Sequence, residues 1–91
     1  MDAKQEPKYE ARDGRIFNRA SGEAIPDDEP VFILRARDTT AVATLLHYYH
    51  GHRLAENDQH ADAVLQRVLD FQRFMREHPE RMKYPDTTPT A

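Results

Sequence analysis

Pro26 and Pro30 bracket an acidic triplet, Asp27-Asp28-Glu29, and the longest uninterrupted apolar run of the chain, Val31-Phe32-Ile33-Leu34, follows at once. This junction limits the available folds more than any other feature. Neither proline can donate an N–H to a sheet, so Pro26 to Pro30 reads as a loop at a sheet end. An apolar run this short cannot cross a bilayer, which takes about 20 residues of helix. The run is consecutive rather than alternating, so Val31 to Ala36 is expected to be a strand covered on both faces.

The residues before the loop read as further strands. Asp13-Gly14 separates Tyr9-Glu10-Ala11-Arg12 from Arg15-Ile16-Phe17-Asn18. An Asp-Gly pair tolerates the positive φ angles of a tight hairpin turn. Ala20-Ser21-Gly22 is a second turn signal, returning the chain through Glu23-Ala24-Ile25, antiparallel to Ile16–Asn18. With Val31–Ala36, these segments predict an N-terminal antiparallel β-meander of three to four strands.

Helical patterns follow. Asp38-Thr39-Thr40 supplies short side-chain oxygens for a helix start. Val42, Leu45, Leu46 and Tyr49 share one helical face, and Gly51 reads as the stop. Asn57 or Asp58 starts a longer helix with an apolar stripe of Ala61, Val64, Leu65, Val68, Phe71 and Met75, widened by Leu69 and Phe74. Arg73 and Glu77 sit one turn apart, spaced for a surface ion pair. Pro79 ends this helix. The expected fold is α+β: the meander, then a two-helix α-hairpin. Residues 1–8 are expected to be a flexible N-terminus, 9–84 a single domain and 85–91 a disordered tail. Met82 and Tyr84 are expected to fold back onto the body. The breadth of the second helix's stripe suggests that helices of two copies meet, a homo-oligomer.

Composition narrows the function classes. A chain of 91 residues builds one small core. It has no cysteine, which excludes disulfides and thiolate metal sites and fits a reducing compartment. The first ten residues lack a signal-like apolar core, so a cytoplasmic protein is expected. The formal charge is −3, and no third of the chain is strongly basic. Duplex nucleic acid and membrane partners are therefore not expected. Ser21 is the only serine and lies in a turn. The three glycines stand apart at positions 14, 22 and 51, so there is no phosphate-binding glycine loop. No cofactor is expected.

Three constellations remain. Asp27, Asp28 and Glu29 form an acidic loop that can contact a partner or ligand, hold a metal, or simply pair with Arg35 or Arg37. Arg35 and Arg37, two apart on the expected strand, point to one side, just before Asp38, Thr39 and Thr40. Guanidinium forks beside a helix N-terminus suit a small anion; the plain alternative is ion pairing with the acidic loop. His47, His50, His52 and His60 cluster around the helix junction. They lack a helical His-Glu-x-x-His frame, so a hydrolytic metal site is a distant reading. Tyr48 points away from the core stripe and can stack on a base, or be an ordinary half-exposed aromatic.

The run from Ser21 to Asp38, with Pro26-Asp27-Asp28-Glu29-Pro30 at its centre, resembles a signature of small uncharacterised phage and prophage proteins. Glu77-His78-Pro79-Glu80-Arg81-Met82-Lys83 with Pro85-Asp86 is similar to their ending. The resemblance implies a phage setting inside a host cell, and no activity. The residues themselves point to a non-catalytic binding protein. In one reading it counteracts host defence by sequestering a nucleotide-like anion through Arg35, Arg37, Asp38, Thr39 and Thr40, with Asp27, Asp28, Glu29 and Tyr48 completing the site. In the alternative it is a protein–protein inhibitor or adaptor of a host protein.

Overall fold

The computed structural model describes residues 7–86. The expected frayed start and disordered tail therefore fall largely outside the described residues. The fold is α+β, in the order β1 (Tyr9–Arg12), β2 (Arg15–Asn18), α1 (Ala41–Leu54), α2 (Asp58–Glu77) and a short 3-10 helix, Pro79–Arg81. The chain divides into two compact units, the second beginning at Ile33.

The first unit is built on the predicted hairpin. Asp13 (φ 52°) and Gly14 (φ 74°) both take positive φ, as a type I′ turn demands. The register pairs Tyr9 with Asn18 and Arg12 with Arg15. One face of the hairpin is polar and cationic: the Arg12 guanidinium lies 3.9 Å from the Phe17 ring centre. Glu10 accepts from Arg12 at 2.8 Å and from Arg19 at 3.1 Å.

The expected three- to four-stranded meander is not formed. The third arm is a single bridge, Phe17 to Ala24. Two hydrogen bonds extend it, from Asn18 N–H to Glu23 C=O and from Ile25 N–H to Ile16 C=O, each 2.8 Å. Beyond Ile25 the chain enters the turn that Pro26 opens, and no further bond of this ladder forms among the described residues. The return loop is fastened by Asn18, whose side-chain oxygen accepts from the N–H groups of Ala20 and Ser21 at 2.9 and 3.0 Å.

Val31–Ala36 is not a strand either; Leu34 and Ala36 are half-buried, but the residues before them are not covered. Val31, Phe32 and Ile33 are 50%, 87% and 74% exposed. Two turns bound the run. Glu29 N–H donates to Pro26 C=O at 3.1 Å, and Asp38 N–H to Arg35 C=O at 3.0 Å. Consecutive apolar residues imply a doubly covered strand only where a sheet edge receives them; the prolines and these turns leave Pro30–Leu34 unpaired.

The second unit holds every buried hydrophobic side chain among the described residues: Ala41, Ala61, Val64 and Val68. Its first strand-like contact is a parallel bridge between Asp38 and Lys83, with Thr39 N–H to Lys83 C=O and Lys83 N–H to Arg37 C=O, both 2.9 Å. This bridge ties the segment after α2 to the start of α1. Met82 is half-buried beside it, whereas Tyr84 is exposed.

Helix α1 does not stop at Gly51 but runs to Leu54. The stop is made by Glu56, which adopts φ 59°. Asn57 N–H reaches His52 C=O at 2.9 Å and Glu56 N–H reaches Arg53 C=O at 3.0 Å. This is the Schellman pattern, in which the left-handed residue is more often glycine. On α2, Arg73 turns back toward Asp70 (3.9 Å), which Arg67 also approaches at 3.2 Å, instead of pairing with Glu77. The Phe74 ring is flanked by His78 (centroids 5.0 Å) and by Arg81 (4.8 Å). Leu69 stays 45% exposed.

Candidate functional site

The residues singled out from the sequence fall in both units. Asp27, Asp28 and Glu29 lie in the first, all exposed, in the turn that Pro26 opens. Asp27 meets Arg15 of β2 at 3.5 Å. Asp28 and Glu29 make no side-chain ion pair among the described residues.

Arg35, Arg37, Asp38, Thr39, Thr40 and Tyr48 belong to the second unit. Among the described residues the side chains of Arg35 and Arg37 make no ion pair or hydrogen bond. The start of α1, in contrast, is already supplied with an anion. Asp38 Oδ1 accepts from Thr40 N–H and from Thr40 Oγ1, each at 2.8 Å. Asp38 C=O takes Ala41 N–H at 2.9 Å, and Thr39 N–H is spent on Lys83. The chain's own carboxylate thus sits beside the N-cap residue Thr40, which itself makes no side-chain cap bond, and its charge favours the helix N-terminus.

The histidines regroup. His47 and His50 are exposed on α1. His52 and His60 come together instead, ring centres 4.5 Å apart at 73°. Tyr48 joins them: its ring centre is 4.5 Å from that of His52, and its hydroxyl lies 3.1 Å from His60 Nε2. Asn57 adds an amide 3.3 Å from His52 Nδ1. Tyr48, read either as a stacking platform or as an ordinary half-exposed aromatic, is 49% exposed and half-committed to α1–α2 packing. The signal was present in the sequence as i, i+4 spacing of Tyr48 and His52; the contribution of His60 depended on where the helix turned. Among the described residues no group of three His, Asp or Glu side chains is placed to hold a metal ion.

The element left most open is therefore the run at the end of the acidic turn. None of the backbone N–H or C=O groups of Val31–Leu34 makes a hydrogen bond among the described residues. Three large apolar side chains beside them face solvent. Exposed apolar side chains next to unused backbone donors and acceptors are the two ingredients of strand addition.

No family model matches the chain, and no curated protein or solved structure matches it. Among the described residues no helix is long and apolar enough to cross a membrane.

Proposed function

We propose that this chain is a non-catalytic binding protein that acts on a partner protein through the segment Asp27–Arg37. The observation that carries the reading is the exposure of Val31, Phe32 and Ile33 beside unused backbone groups. The segment offers the partner an ordered series of chemistries. Exposed carboxylates come first, then an apolar stretch able to extend a sheet, then the unpaired guanidinium groups of Arg35 and Arg37. Backbone pairing supplies affinity in such contacts, and alternate side chains supply selectivity. The resemblance of Ser21–Asp38 to small phage and prophage proteins suggests a host protein as the target, with inhibition or bridging as the outcome.

The test is affinity capture from host lysate with three full-length proteins: wild type, Phe32→Asp and Leu69→Asp. A single host protein retained by wild type and by Leu69→Asp, but lost with Phe32→Asp, is the expected result. Equal retention by all three would remove the segment from the function.

A second reading, sequestration of a nucleotide-like anion, draws on one observation, the unpaired state of Arg35 and Arg37. It predicts that a nucleotide raises the melting temperature, by an amount set by its concentration over Kd. The shift should vanish in Arg35→Ala and Arg37→Ala, and the nucleotide should be recovered intact. Asp38's hold on the start of α1 weighs against this reading.

A further inference from the structure

The same segment has a symmetry that names one partner. We propose that Pro30–Leu34 pairs antiparallel with the same segment of a second copy, Phe32 facing Phe32 across the two-fold axis and Glu29 facing the second copy's Arg35. This inference rests on the reading of the segment as a strand-addition element, and specifies an occupant for it.

The register follows from geometry. In a regular strand, alternate residues turn their N–H and C=O to the same side. Two identical strands related by a two-fold axis can therefore pivot on a residue, so that residues of the same parity face one another. Pro30 has no N–H, so the even-numbered residues must be the ones whose backbone points away from the second copy. Val31 and Ile33 then face it with both donor and acceptor. Those are groups that make no hydrogen bond among the described residues.

Three pivots are within reach: Val31, Phe32 and Ile33. A pivot on Val31 sets Glu29 against Ile33. A pivot on Ile33 sets Arg35 against Val31. A pivot on Phe32 sets Val31 against Ile33 and brings Glu29 to Arg35, an apolar centre closed at both ends by opposite charges. All three pivots meet the even-parity requirement on Pro30, and charge selects the last. Neither Glu29 nor Arg35 has an ion-pair partner among the described residues, so neither must be detached from one. The turns at Pro26–Glu29 and Arg35–Asp38 fix the length of the ladder. A ladder this short makes a weak, concentration-dependent dimer.

The test uses the full chain. Sedimentation equilibrium of wild type should show a monomer–dimer equilibrium. Glu29→Arg and Arg35→Glu, each alone, put like charges at both ends of the ladder and should raise the dimer Kd by about tenfold. The double variant should restore it to within about threefold, a recovery that general weakening or misfolding cannot produce. Because the native chain lacks cysteine, Phe32→Cys gives a clean second readout. A pivot position has Cα atoms about 4.5 Å apart, within disulfide reach. Phe32→Cys should form a covalent dimer on mild oxidation much faster than Leu69→Cys. A monomer at all concentrations, a double variant no better than the singles, or faster cross-linking at Leu69 would each overturn the proposal. None of these results bears on retention of a host protein by the segment, so the two readings fail separately.

Discussion

Val68 is the largest fully buried side chain among the described residues, at 1% exposure, and Leu69 beside it is 45% exposed. Truncating each to alanine separates burial from hydrophobicity. Val68→Ala removes about two methylene equivalents, roughly 1.6 kcal/mol of transfer free energy. A residual cavity of up to about 50 Å³ adds about 1 kcal/mol. The expected loss is therefore ~2–3 kcal/mol. A unit of this size typically has a stability of only ~3–8 kcal/mol, so the variant should unfold at visibly lower urea. Leu69→Ala removes more carbon but less buried area, and alanine is the better helix former; it should lose under ~1 kcal/mol. Urea titration followed by helical circular dichroism measures both, with equal slopes as the control that the unfolded states match. A Leu69→Ala loss equal to or above that of Val68→Ala would refute this reasoning. It would place the outer side of α2 inside a buried interface.

Three further outcomes are expected. Glu56→Gly should raise stability by ~0.5–1 kcal/mol, because relief at φ 59° exceeds the entropy glycine adds to the unfolded chain; thermal melts would show a rise of several degrees. Asp38→Ala removes the acceptor for Thr40 N–H and Oγ1 and should cost ~0.5–2 kcal/mol, with faster amide exchange confined to the first turn of α1. Tyr48→Phe deletes the hydroxyl contact with His60 Nε2 and should cost ~0.5–1.5 kcal/mol by denaturant titration, leaving helix content unchanged.

Local signals in this sequence are reliable where one residue pair decides the geometry. Asp13-Gly14 has a backbone preference that needs no tertiary help, and the hairpin register follows from it. The α2 stripe was equally legible, since Ala61, Val64 and Val68 repeat at helical spacing and are the residues that bury. Gly51 misled because a glycine is tolerated inside a helix when the turn chemistry lies further on; the stop was decided by Glu56 and Asn57, whose spacing carries no conventional signature. Val31–Leu34 misled for a different reason. A run of apolar residues records that something can cover it, but not that the same chain does. The candidate site divides along the same line. A helix start at Asp38-Thr39-Thr40 was legible from their short side-chain oxygens, although the N-cap, Thr40, makes no side-chain cap bond. That the Asp38 carboxylate is engaged by Thr40 required the actual 2.8 Å contacts.

Pro30 and Arg35 stand immediately on either side of the exposed apolar run. Fibril spines need about six or seven consecutive strand-forming residues free of proline. This run falls short of that length and carries a charge and an imino acid as its neighbours, the usual gatekeepers of such stretches. A chain can therefore display Val31, Phe32 and Ile33 to solvent at high concentration without seeding amyloid, and its stickiness is limited to contacts that end after a few residues.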